Sequence, residues 1–213
     1  MSGMLLAMLE GTWVSFRVFS FTLLFSLPLG LLVALGRMSK VKIISIPVKI
    51  FILIVRGTPL ILQLIFVYFA PYYLFNVSWG PHRLAAAIAA FSINYAAYFA
   101  EIYRGGIESI SHGQYEAAKV LGFTKTQTFF RIILPQVFKR ILPASGNEVI
   151  TLVKDTALAQ VIGVIELFRV AQNAASREFS TMPIFIAGAF YFVMNWVVSA
   201  VFVRLEKKLD YYR

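Results

Sequence analysis

EAAKVLGFTKTQTFFRIILP, residues 116–135, is a helix-turn-helix of soluble character inside an otherwise membrane-like chain. Residues 114–121, from Gln114 and Tyr115 through Glu116 to Leu121, are predicted to form a short helix with a small-residue face at Ala117 and Ala118, and Gly122 stops it. Phe129, Phe130, Ile132, Ile133 and Leu134 open a second apolar run, which Pro135 is expected to end. Such an element suits docking to a partner. The plainer reading is a solvated amphipathic connector.

Composition sets the surroundings. Of 213 residues, 59% are hydrophobic and 14% charged, and the mean hydropathy is +0.76, more apolar than a soluble core of this size requires. The formal charge of +10 resides in clusters that flank apolar runs, not on one face with aromatic interleaving, so nucleic acid is not an expected partner. There is no cysteine, which excludes disulfides, thiolate metal sites and thiol redox chemistry. A cleavable signal is not expected either: residues 1–11 lack a basic n-region, the apolar run that follows is long enough to span, and no A-x-A-like site comes after it.

A bilayer core of about 30 Å calls for about 20 apolar residues in a helix. Four spans are predicted at residues 12–36, 84–103, 141–167 and 183–203. Residues 43–75 are too long for one straight span and too short for two, and Arg56-Gly57-Thr58-Pro59 breaks them; the expectation is an interfacial or tilted lead-in followed by the span proper. Five spans put the termini on opposite sides. Arg37, Lys40, Lys42, Lys49 and Arg56 follow the first span, Arg104, Lys119, Lys125, Arg131, Lys139 and Arg140 the third, and Arg204, Lys207, Lys208 and Arg213 the last. Against these fifteen, only Arg83, Arg169 and Arg177 fall on the other side, while Arg17 and Lys154 lie within spans. The fifteen-residue side is therefore cytoplasmic, the N-terminus faces out, and Glu116 sits in the cytoplasm. Trp13, Trp79 and Trp196 read as interface or packing aromatics.

The spacing of Glu116-Ala117-Ala118, Gly122, Ile132, Leu134 and Pro135 resembles, with every fixed position filled, the EAA loop of permease subunits of ATP-binding-cassette (ABC) importers. Arg56-Gly57-Thr58-Pro59, Glu101-Ile102-Tyr103-Arg104-Gly105-Gly106-Ile107, Gly113-Gln114 and Leu152-Val153-Lys154-Asp155-Thr156 resemble the polar amino acid branch of that family; Ala157 stands where the family usually has serine. The resemblance implies an all-α membrane protein of the type I importer permease class: one transmembrane domain over residues 1–213 with five helices and a cytoplasmic coupling loop at about 108–140. Gln114, Tyr115, Glu116, Ala117, Ala118, Leu121 and Gly122 would then couple to the ATPase.

No G-x4-G-K-[ST] is present, and no Gly-rich loop follows a strand pattern, so the chain is not expected to hold nucleotide or to be an enzyme; ATP and Mg would be bound by a partner ATPase. His82 and His112 have no acidic companion at ligand spacing, and no metal site is expected.

Ionisable groups at membrane depth normally face a cavity or a partner. Glu148, Thr151 and Asp155 share one helical face, with Asn147 beside it, and Phe91, Asn94, Tyr98 and Glu101 share another. Two such faces turned together would make a pocket for a cationic or zwitterionic guest. Each also has a plainer reading: Glu101 pairing with Arg104, Asn147 and Glu148 binding backbone near a break at Pro143 and Gly146, and Tyr98 and Phe91 simply packing.

The whole reads as a permease subunit in a prokaryotic inner membrane, paired with a second permease chain, a homodimer being favoured. Two ATPase subunits would dock below, and an extracytoplasmic binding protein would deliver cargo to outer loops at 76–83 and 169–182. By resemblance the cargo is an amino acid; the acidic stripe favours basic ones such as arginine over glutamine, glutamate or histidine. A secondary transporter would show inverted repeats, and none is visible. A channel-like subunit would leave residues 116–135 without a purpose.

Overall fold

The computed structural model describes residues 2–209; Arg213, counted above among the basic flank, lies outside them. The described elements are α1 (Ser2–Arg37), α2 (Lys42–Gly57), α3 (Leu60–Phe75), α4 (Arg83–Glu108), α5 (His112–Val120), α6 (Lys125–Gln127), a π turn (Thr128–Ile133), α7 (Leu134–Asp155), a 3-10 turn (Thr156–Ile162), α8 (Leu167–Glu178) and α9 (Met182–Leu209).

α1, α4 and α9 are each long and apolar enough to cross a bilayer, and α2 with α3 makes a fourth crossing if the pair counts as one. The break expected within residues 43–75 is present: the two helices are bent by 113°. Thr58, ahead of Pro59, is forced into extended backbone (φ −120°, ψ 148°), which stops α2. α2 lays Ile52 and Val55 against Ala34 of α1 and Ala97 and Ala100 of α4. Only α3 then leads to the far end, where the Trp79 indole N–H donates to the Val67 carbonyl at 2.9 Å.

The seam between α1 and α4 organises the rest. Along α1 the buried positions are Met8, Gly11, Ser15, Val18, Thr22, Ser26, Gly30 and Ala34, three or four residues apart and mostly small. Val18, Gly30 and Ala34 face an alanine-rich stripe of α4 that includes Ala86, Ala90, Ala96 and Ala100, while Met8, Gly11 and Ser15 meet α8 and its cap. Lipid tails are as apolar as leucine, so helices in a bilayer gain from close backbone approach more than from burial of bulk. Gly30 is the tightest point: a Cβ there would stand 2.8 Å from the Cβ of Phe99.

Three expectations need correction. Pro135 does not end a helix. The chain runs from the π turn straight into α7, with Pro135 as its second residue; the wider turn absorbs the missing N–H at a helix start, where a donor is not needed. Pro143 and Gly146 do not break α7 either, because Gly146 instead admits the ring of Phe202 from α9. Residues 141–167 are not one continuous span. α7 stops at Asp155, the chain tightens into the 3-10 turn, and Gly163 reverses it at φ 81°; the Thr156 hydroxyl donates to the Val153 carbonyl at 2.7 Å across the change of pitch. Part of the expected outer loop, residues 169–178, is helical as well, within α8. The first three turns of α1 lie outside the span predicted from residue 12 and pack Met8 against Leu167 and Ala171 of α8.

Candidate functional site

Two constellations stand at opposite ends of α7. At its N-terminal end, α5 projects from the body of the molecule with Gln114, Tyr115, Glu116, Ala117, Leu121 and Gly122 exposed, while Ala118 alone is turned inward. Ala117 and Ala118 therefore do not form one face; adjacent helical residues lie about 100° apart. Gly122 takes the left-handed conformation (φ +77°), its N–H donates to the Lys119 carbonyl at 3.1 Å, and the Phe123 N–H reaches back to the Ala118 carbonyl at 3.0 Å. This is a Schellman cap, which glycine makes without strain. Thr124 then starts the next turn with a capping box, accepting from the Gln127 N–H at 3.2 Å while its own N–H donates to Gln127 Oε1 at 2.9 Å. Val120 and Leu121 are 88% and 72% exposed, so the cap presents an apolar tip. Beneath it Ile110, Ile133 and Val137 form a small core, and the Arg140 guanidinium donates to the Ser109 carbonyl.

At the other end of α7, the Tyr95 hydroxyl of α4 donates to Asp155 Oδ2 at 2.8 Å. This bond joins α7 to α4 through Tyr95, a residue outside the predicted stripe of Asn94, Tyr98 and Glu101. Tyr95 and Tyr98 lie with ring centroids 6.2 Å apart. Asn94 is buried and its Nδ2 donates to Gln63 Oε1 at 2.9 Å. Glu148, Thr151 and Asp155 are half-buried on α7, whereas Asn147 is exposed and turned away. Phe91 is fully buried and packs in the core.

Glu101 stands apart. Arg104 holds both its oxygens, with Nη2 at 2.6 Å, and Arg37 of α1 at 3.6 Å and Arg56 of α2 at 4.0 Å complete a ring of three guanidiniums. The pairing with Arg104 was legible from spacing; the other two come from separate helices.

Glu166 is a carboxylate that the sequence reading passed over, and it is fully buried. It caps α8, accepting from the N–H groups of Phe168 and Arg169, both at 2.8 Å. Tyr191 of α9 donates its hydroxyl to it at 2.9 Å, and Ser15 of α1 lies 3.5 Å away. Its position just before the helical run of α8 was the available signal. Among the described residues no group of three or more His, Cys, Asp or Glu could hold a metal.

The family model for the binding-protein-dependent transport system inner membrane component matches residues 26–211. The chain belongs to this family. It is 41% identical over 191 residues to the L-cystine transport system permease protein TcyB of Bacillus subtilis, covering 89% of this chain and 80% of that one. It is 38% identical over 193 residues to the octopine transport system permease protein OccM of Rhizobium radiobacter, covering 85% and 79%. The crystal structure of an amino acid ABC transporter with histidines superimposes with a TM-score of 0.86 at 34% identity, over 95% of this chain and 94% of that one. The chain is accordingly the inner-membrane permease subunit of an ABC amino acid importer, with the type I importer fold; its EAA motif falls on α5. Permease subunits of this family are not enzymes; ATP is hydrolysed by separate subunits, and membership implies a partner permease.

Proposed function

We propose that this permease carries a basic amino acid, arginine foremost, along a path on which Asp155 holds the α-ammonium group and Glu148 the side-chain cation. The observation that carries the reading is the Tyr95–Asp155 hydrogen bond: it fixes a carboxylate at membrane depth at the very residue where α7 gives way to the 3-10 turn. Asp155 and Glu148 lie seven residues apart on one face, about 10 Å along the axis, which suits the two cationic ends of an extended basic amino acid and their contacts. Thr151 lies between them; Asn94 and Tyr98 supply an amide and an aromatic wall from α4. Asn147 is a rim position. Glu101, ringed by arginines, serves the scaffold and not the cargo.

In this reading the chain pairs with a copy of itself, the N-terminus faces out and the C-terminus the cytoplasm. Two ATPase subunits, which bind ATP and Mg, grip α5 through the apolar tip at Val120 and Leu121. An extracytoplasmic amino acid-binding protein delivers cargo to the opposite end. The L-cystine relative and the amino acid ABC transporter support an amino acid cargo without choosing among them.

The test is cargo binding to the permease–ATPase complex without any binding protein. Asp155→Asn weakens every amino acid carried by about tenfold or more, the loss of a charge-assisted hydrogen bond. Glu148→Gln weakens arginine and lysine by about tenfold relative to glutamine. Wild-type arginine binding in both variants makes the acidic stripe structural and removes the argument for a basic cargo.

A further inference from the structure

α2 has three sides. Ile52 and Val55 pack on Ala34 of α1 and on Ala97 and Ala100 of α4, and a Cβ on Gly36 of α1 would meet Val48 at 3.1 Å and Ile44 at 3.7 Å. Opposite that side, Ile43, Ile46, Ile50, Leu53 and Ile54 fall within an arc of about 100°, and each is exposed, Ile43 by 86% and Leu53 by 71%. On the flank between the two stand Lys42 and Lys49, seven residues apart, with Lys40 in the turn just ahead of the helix. All three lysines are exposed, and none has a side-chain hydrogen bond or ion pair among the described residues.

The helix lies flat at the basic end of α1. Its 16 residues make about 24 Å, short of the roughly 30 Å of a bilayer core, and its direction differs by 113° from that of α3. Its two ends stay at one depth. Ile44, near the start, meets Gly36 in the last turn of α1. Arg56, near the finish, comes within 4.0 Å of the Glu101 carboxylate that Arg37, the last residue of α1, approaches at 3.6 Å. A short helix in the plane of the interface, apolar on one side and lysine-edged on the next, has the build of a segment that rests in the headgroup boundary.

We infer that the outward side of α2 and its three lysines form a binding site for anionic phospholipid of the leaflet next to the α1–α2 turn, with the isoleucines and Leu53 on the acyl chains and the lysines on the headgroup phosphates. In the orientation proposed above this is the cytoplasmic leaflet. Charge selects lipid over a second copy of the chain as the occupant. No acidic residue lies on α2 or in the turn before it, so a two-fold axis through this side would set the lysines of one copy against those of the other. An anionic headgroup supplies the missing counter-charge, and a basic cluster beside an amphipathic helix attracts such lipids over about a Debye length. The site is independent of which cargo the permease carries.

Because the chain has no cysteine, Ile50→Cys places a single bimane fluorophore on this side of α2. The permease–ATPase complex is held in nanodiscs of one fixed mixture of phosphatidylcholine and phosphatidylglycerol, with a bromine quencher on the chains of one lipid or of the other. Both lipids quench, and phosphatidylglycerol quenches about threefold or more strongly per brominated molecule. Lys40→Gln, Lys42→Gln and Lys49→Gln combined bring that ratio close to one without loss of quenching, whereas Arg at the same three positions keeps it. The same fluorophore at Phe192→Cys, on the exposed side of α9, gives a ratio near one throughout. Absence of quenching by either lipid at Ile50→Cys is the mark of a side covered by the second permease chain, and it overturns the inference. A ratio of one with the lysines in place overturns it as well, and so does a ratio that survives the three Gln substitutions. Each of these outcomes leaves the cargo reading where it stands.

Discussion

α4 and α9 are apolar helices of similar length, 26 and 28 residues, yet 61% of the apolar stretch of α4 is buried and only 6% of that of α9. The less apolar helix is the inner one. Its alanines let α1 come close, while Phe185, Phe192, Val193, Trp196 and Val197 of α9 point outward. In a bilayer, hydropathy states that a helix crosses; small residues state that it is inside. A soluble protein would reverse the bulk, with large side chains at the centre.

The comparison breaks most severely at the seam. Gly30→Leu drives a side chain into Phe99, where even a Cβ would stand at 2.8 Å. It should destabilise the chain by about 3 kcal/mol or more, read as loss of folded protein and a lowered unfolding midpoint in detergent. An unchanged midpoint would mean that α1 and α4 have room to separate. A smaller loss is expected at Glu166, where α1, α8 and α9 meet. Glu166→Ala strands the Tyr191 hydroxyl and two N–H groups of α8 and should cost about 2 kcal/mol; Glu166→Gln, which keeps an acceptor, should cost less. The smallest effect belongs to α9. Phe192 is 71% exposed, so Phe192→Ala should change the midpoint by no more than about 0.5 kcal/mol. A larger drop confined to the assembled transporter would put α9 at the interface with the second permease chain.

Legibility followed the same divide between local and tertiary causes. α5 was readable almost to the residue, because Gly122 and the capping box at Thr124 are local signals with their own backbone geometry. The break at residues 56–59 was readable for the same reason. The stop at Asp155 was not: Thr156 to Ile162 remain apolar through the change of pitch, and hydropathy does not register a tighter turn. Pro135 misled because the π turn ahead of it is invisible in composition. At the polar cluster, periodicity put Glu148, Thr151 and Asp155 on one face of α7, yet it could not show that Tyr95, one position off the expected α4 stripe, makes the bond to Asp155. Nor could it collect Arg37 and Arg56 around Glu101 from two other helices. Gln63 was the missed clue, a lone amide in the apolar run of α3.

α7 is an uninterrupted rod of 22 residues, about 33 Å long, with the α5 turn at one end and Asp155 at the other. No loop lies between them to take up slack, so a displacement at one end is carried to the other. Pro143, which lacks an N–H, within the rod and the π turn at Thr128–Ile133 just ahead of it are points where it can flex. If, as proposed, an ATPase moves α5 and Asp155 holds the cargo, the length of the step at the cargo is set by the stiffness of this rod, whatever the chemistry of the pocket.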